Sequence, residues 1–179
     1  DAGELVFKNF NLSVPTTEVV DFVANGDFAE AAAIGADGAA GWALWTGEGY
    51  VGTNVIADGV LTSTTTTKGS AVWNAQIQYN HATATMTPGE VYRVELDVNA
   101  SVATTVPFQL KGVTNDKNID TYVDLVAGDN HVVLYYVAPQ SSFRFFIMPG
   151  MTEAGTVLVF DNIQVFQPAP SAPLAELAN

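Results

Sequence analysis

From Gly41 to Phe166 the chain is a succession of short segments, apolar or alternating in polarity, each closed by turn residues. The strand candidates run 41–46, 50–56, 59–66, 71–79, 91–99, 105–112, 121–126, 130–137, 142–148 and 156–166. Many short strands at such close spacing bury their apolar faces by stacking as two sheets. The pattern therefore predicts an all-β, antiparallel β-sandwich. Tyr92-Arg93-Val94-Glu95-Leu96-Asp97-Val98 alternates cleanly, so Tyr92, Val94, Leu96 and Val98 should face the core. Val132-Val133-Leu134-Tyr135-Tyr136-Val137 is apolar on both faces, which predicts a central strand covered on both sides. Asp58-Gly59 and Lys68-Gly69 are tight-turn pairs, and Thr87-Pro88-Gly89-Glu90 presets a turn before Val91. Gly128-Asp129-Asn130 is expected to join two strands as a hairpin.

The chain of 179 residues suits one domain with short extensions. Residues 1–20 read as an extended arm, in which 5–12 can form a strand that Pro15 stops. Residues 21–167 should form the sandwich, and 168–179 a Pro/Ala-rich, linker-like tail. The Ala/Gly stretch 29–40 reads as a loop or a single turn, because Gly and Asp interrupt its helix formers. Two motifs stand as bookends around the strands. Asn25-Gly26-Asp27-Phe28 precedes Gly41-Trp42, and Val159-Phe160-Asp161-Asn162-Ile163 closes the last strand.

Charge excludes several partners. With 6 basic and 19 acidic residues the net charge is −13, which repels nucleic-acid phosphates and anionic lipids. Acidic polysaccharides are disfavoured for the same reason. Without Cys, neither a disulfide framework nor a Cys-based zinc site is available. No apolar run approaches the ~20 residues of a membrane helix. An acidic, Cys-free, strand-rich composition is expected outside the cell, and the start at Asp1 without Met suggests a processed or excised form. Catalysis is not expected. His81 and His131 lack close partners in sequence for zinc, and neither a Gly-x-Ser-x-Gly elbow nor a phosphate loop is present.

Six pieces in order carry a family resemblance: Asn25-Gly26-Asp27-Phe28, Gly41-Trp42, Asp58-Gly59-Val60-Leu61, Trp73 with Gln76, Pro88-Gly89-Glu90-Val91-Tyr92, and Val159-Phe160-Asp161-Asn162-Ile163. Over about residues 22 to 166 the chain resembles carbohydrate-binding modules of the family 4/9/16/22 type, which are calcium-containing β-jelly-rolls of secreted glycan-degrading enzymes. The resemblance implies a jelly roll whose concave face holds a neutral polysaccharide, β-glucan or xylan, with Trp73 as a stacking platform and Gln76 beside it. A pyranose ring packs its C–H face on a flat aromatic, while its hydroxyls need paired donors and acceptors. By strand parity Gln78, Gln109, Arg144, Phe146 and Met148 are further candidates, provided Phe143, Phe145 and Ile147 face the core. Trp73 on a strand can equally be a core residue, and Trp42 is assigned to the core. Trp45 and Tyr50 either line a cleft rim or pack on the sandwich end. The resemblance also implies a structural calcium. Asp161 matches one ligand directly, whereas the first carboxylate is out of place. Either Glu30 reaches round, or Asp27 substitutes, or the site is lost. Oxygen ligands suit a hard cation. Asp116, Asn118 and Asp120 space their oxygens like the start of a second calcium loop, but without its Gly and Glu they are assigned to a solvated turn.

A second reading is structural. The same jelly roll could be a self-assembling subunit of an extracellular filament, tube or surface layer. Its strand at 5–12 would be donated to a neighbouring copy, with calcium at the acidic interfaces.

Overall fold

The computed structural model describes residues 17–19, 22–30, 34–36, 39, 41–111 and 118–168. Twelve strands run through them: β1 (Thr17–Val19), β2 (Gly35–Ala36), β3 (Gly41–Thr46), β4 (Val51–Ala57), β5 (Val60–Thr67), β6 (Ala75–Thr85), β7 (Val91–Ala100), β8 (Thr104–Leu110), β9 (Ile119–Leu125), β10 (Gly128–Val137), β11 (Ser142–Ile147) and β12 (Val157–Pro168). They form two six-stranded sheets stacked as a jelly-roll β-sandwich. One sheet has the order β10-β7-β12-β5-β4, with β1 beside the end of β12. The other has the order β2-β3-β6-β11-β8-β9. All pairs are antiparallel except the short β2–β3 pair. The strand of the arm at 5–12, the tail after Pro168 and most of the acidic turn before Asn118 lie outside the described residues.

The core follows the alternation. Tyr92, Val94, Leu96 and Val98 are buried, and they meet Phe143, Phe145 and Ile147 from the other sheet. An aromatic chain fills one end. Phe28 packs on Trp42 at 5.1 Å, Trp42 on Tyr79 at 5.1 Å, and Phe22 stacks on Phe143 at 5.4 Å. Tyr50 is buried as well, so it packs on the sandwich and lines no rim.

The bookends meet. Between Asp161 and Gln164 the pairing of β12 with β7 slips by one residue, forming a β-bulge with Asn162 at φ 52°. The bulge turns Ile163 toward the first motif, where its N–H donates to Gly26 O at 2.9 Å.

Three sequence expectations change. β10 is an edge strand, and Val133, Tyr135 and Val137 are exposed on its outer side. The strand is apolar on both faces, but the sandwich has only two layers and nothing stacks on the outer face of this sheet. Gly128-Asp129-Asn130 joins no hairpin, because β9 and β10 belong to different sheets. The Asn130 side chain instead closes this crossover, accepting from Val126 N at 2.9 Å and donating to Val126 O at 3.0 Å. The strand expected from 71 begins only at Ala75, after a single 3-10 turn at Val72–Asn74. Asn74 holds that turn, its Oδ1 accepting from Ala71 N at 2.7 Å and its carbonyl from Gly47 N at 2.8 Å. Gly150 then presses against it so closely that a Cβ would lie 2.4 Å from Val72 O.

Candidate functional site

The sheet containing β6 turns one face to the core and the other to solvent. Register places the outer side chains in rows across its strands. One row is Ala43, Gln78, Phe146, Gln109 and Asp120. A second pairs Trp45 with Gln76 and Pro107 with Tyr122, and Met148 joins it by donating its N–H to Pro107 O. A third sets Asn80 opposite Arg144, and Lys111 N donates to Arg144 O at 3.0 Å.

These rows floor a groove that crosses the strands. Its main cleft, of about 430 Å³, is lined by Trp73, Gln76, Gln109, Asp120, Tyr122 and Met148 among others. Next to it lies a smaller cleft of about 270 Å³ lined by Trp45, Gln76, Gln78, Lys111, Arg144 and Phe146. Gln76 and Lys111 line both, so the two clefts are continuous. Trp73 is 58% exposed on its 3-10 turn, and Tyr122 is 61% exposed on β9. Two large aromatics left in water on the walls of one cleft give up apolar burial that a ligand can restore.

The polar floor is already ordered. Arg144 Nε donates to Asn80 Oδ1 at 2.7 Å, Asn80 Nδ2 to Gln78 Oε1 at 3.5 Å, Gln78 Nε2 to Gln76 Oε1 at 3.3 Å, and Gln76 Nε2 to Trp73 O at 3.0 Å. Across the sheet Gln109 Nε2 donates to Asp120 Oδ1 at 2.5 Å. Each amide uses part of its capacity for two donors and two acceptor sites, and the remainder is held in a fixed direction. Such a ladder offers alternating donors and acceptors without much ordering cost on binding.

Sequence reasoning singled out Trp73, Gln76, Gln78, Gln109, Arg144 and Phe146, and the fold brings all six to this face. They are not equally accessible. Phe146 is 2% exposed beneath Arg144 and Lys111, and Gln78 is 1% exposed, so both act mainly as floor. The sequence reading does not bring Tyr122, Asp120 or Lys111 to the groove, and the solvated turn it expects at Asp120 is instead part of β9, where Asp120 accepts from Gln109. Parity along β9 carried the signal for the first two, since Val123 and Leu125 turn inward and Asp120, Tyr122 and Asp124 outward.

The residues expected to hold calcium lie on the loop before β2 and on the bulge of β12. Asn25 already spans that loop, its Oδ1 accepting from Glu30 N at 3.0 Å and its Nδ2 donating to Glu30 O at 2.8 Å. Asp27 Oδ1 accepts from Ala29 N at 3.3 Å, and Asp161 Oδ1 accepts from Asn162 N at 2.7 Å. Asp161 lines a shallow cleft with Asp97, Asp129 and His131 on the outer face of the other sheet, and Asp27 and Glu30 do not line it. Among the described residues no three His, Asp or Glu side chains stand close enough together to hold a metal ion.

That outer face carries one perturbed group. His131 Nδ1–H donates to Asp97 Oδ1 at 2.8 Å and Asn162 Nδ2 to Asp97 Oδ2 at 2.9 Å. The bond from His131 first, and then that from Asn162, holds the Asp97 carboxyl below its ordinary value of 3.8. A lowered folded-state value stabilises the fold above the unfolded value, and the contribution disappears as pH falls through the lowered one. Replacing His131 by Ala should move the Asp97 titration up toward 3.8, read from its carboxyl carbon by NMR. An unchanged midpoint would assign the shift to Asn162.

A search of curated proteins finds no match to the sequence. The sequence model of a family described as "Carbohydrate binding domain", CBM_4_9, matches residues 20–136. Among solved structures, a family 4 carbohydrate-binding module superposes with a TM-score of 0.70 at 16% identity, covering 81% of this chain and 99% of its own. A mutant of a family 29 module complexed with cellulohexaose gives 0.55 at 12% identity, covering 88% and 94%. The N-terminal cellulose-binding domain of a β-1,4-glucanase from Cellulomonas fimi gives 0.50 at 16% identity, covering 69% and 92%. At such identities the structures establish the shared fold, while the family match spans well over half of the chain. With its jelly-roll sandwich and aromatic-walled groove, this chain belongs to the carbohydrate-binding domain family.

Proposed function

We propose that this chain is a secreted, non-catalytic module that binds a neutral polysaccharide of the β-glucan or xylan type. The carrying observation is the pair Trp73 and Tyr122, both exposed and both lining the 430 Å³ cleft above Gln76 and Gln109. Pyranose rings stack on the two aromatics, and hydroxyls at the ring edges exchange hydrogen bonds with the Gln76 and Gln109 amides and with Asp120. A groove crossing the strands and open to solvent suits a run of sugar units within a chain. The acid content of the groove supports binding without cleavage. Among the described residues Asp120 alone of the carboxylates lines its two clefts, whereas glycoside hydrolysis needs a facing pair. No helix among those residues is long and apolar enough to cross a membrane. Affinity electrophoresis through gels containing soluble β-glucan, xylan or an α-glucan tests the reading. Retardation by a β-linked polymer is expected, and migration unchanged in all three gels would overturn it.

Calcium at the junction of the bookends is a separate proposal with its own test. Thermal melts in millimolar calcium and in excess chelator should differ by several degrees if Asp161, with Asp27 or Glu30 and backbone oxygens, holds the ion. Coincident melts would mean that Asn25 and the Gly26–Ile163 bond close the junction unaided.

A further inference from the structure

Only six cationic side chains offset 19 acidic ones in this chain. Lys68 pairs with Glu153, and Arg93 pairs with Glu95 at 3.2 Å while lying over Phe166. Arg144 and Lys111 come together on the groove face. They stand opposite each other on adjacent strands, both over the ring of Phe146, with the Arg144 Cζ 5.3 Å and the Lys111 Nζ 5.4 Å from its centroid. Both line the smaller cleft beside Trp45, Gln76 and Gln78.

The guanidinium of Arg144 is fixed at two points. Its Nε donates to Asn80 Oδ1, and its plane lies over Phe146. Its terminal nitrogens make no hydrogen bond among the described residues, and no carboxylate there pairs with it. A planar fork held by Nε and left open at Nη1 and Nη2 matches the two oxygens of a carboxylate. Asp120 is the acid of the adjoining cleft, and it already accepts from Gln109.

The geometry points to a carboxylate subsite in the smaller cleft: the glycan held by Trp73 and Tyr122 carries a uronic acid, whose carboxylate is received by Arg144 with Lys111 beside it. This rests on the glycan-binding reading above and departs from it in one respect, since the bound glycan is then not wholly neutral. It also reverses, locally, the exclusion of acidic sugars drawn from the net charge. At physiological salt the Debye length is about 8 Å, so distant surface acids are screened while a cation in direct contact is not.

The test uses the whole chain and pairs of ligands differing in one group. One pair is a β-1,4-xylo-oligosaccharide with a glucuronic acid branch and the same compound with that carboxyl reduced to the alcohol. The second pair carries the acid at the chain terminus. Calorimetry should show about tenfold tighter binding of the acid in at least one pair, and the pair that responds locates the uronate on the glycan. Arg144→Met should erase the preference, weakening the acid ligand by about tenfold more than the reduced one. Lys111→Met should shrink the preference and provides a second variant should Arg144→Met disturb Phe146. Raising salt should weaken the acid ligand selectively. Equal affinities within both pairs, or a preference that survives Arg144→Met, would overturn the subsite. Failure to bind either member of either pair would instead remove the glycan-binding reading itself.

Discussion

Trp73→Ala should weaken binding of a β-1,4-linked oligosaccharide by about 10- to 100-fold while leaving the melting temperature almost unchanged. The two halves of this expectation have separate causes. Trp73 is 58% exposed, so the fold gains little from its indole, and exposed substitutions usually change stability by no more than about 0.5 kcal/mol. The same exposure leaves a large flat surface for a sugar to cover. Buried aromatic anchors dominate binding energies, with truncation costs of about 2 kcal/mol or more at hot spots, and each 1.4 kcal/mol is tenfold in affinity. Trp73→Phe should recover part of the loss, because a smaller ring still offers a face. Tyr122→Ala should act in the same direction, since it lines the opposite side of the cleft. Calorimetry with one soluble oligosaccharide, alongside thermal melts, reads both halves. Wild-type affinity in Trp73→Ala would move the binding site off this cleft. A large fall in melting temperature would make the indole a packing residue.

Trp73 stands out in the sequence but lies on a different element from the strand expected there, for a physical reason. Strand-like residues continue on both sides of it, so local pattern predicts a strand from 71. The turn instead depends on contacts that only the closed sandwich creates: Gly69 N donating to Gly150 O, and Gly150 pressed on Val72. Partners some eighty residues away leave no local signal. β10 shows a different limit. Apolar residues on both of its faces predict coverage, yet no layer stacks on the outer face of its sheet, and Val133, Tyr135 and Val137 stay exposed. β11 was legible because Phe143, Phe145 and Ile147 outweigh the opposite parity, which put Arg144 and Phe146 on the groove side. That Phe146 is nonetheless sealed, and that Lys111 faces Arg144, became visible only with the pairing of β8 and β11. Individual faces can therefore be read from alternation, while a site assembled from five strands requires their order.

Gly26→Ala should produce the complementary result, a large loss of stability with affinity retained in the folded fraction. A Cβ at position 26 would lie 2.1 Å from Ile163 O and 3.2 Å from Val23 Cγ1. The first neighbour is backbone and cannot rotate away. Either the Gly26–Ile163 hydrogen bond opens or the β12 bulge shifts, and Phe160 and Ile163, both buried beside it, must move with it. Overpacking of this kind costs about 3 kcal/mol, which for a domain of this size lowers the melting temperature by about 10 °C. Gly128→Ala is the control. Nothing lies near its would-be Cβ, and its φ of 97° alone should cost about 1 kcal/mol. A similar loss in both variants would mean that backbone conformation, not contact, sets the cost. The groove lies on the sheet of β6, whereas the Gly26 contact belongs to β12 of the opposite sheet. Sugar binding at a temperature where the variant is still folded should therefore match wild type. A variant as stable as wild type would mean that the two bookend motifs meet more loosely than their 2.9 Å hydrogen bond implies.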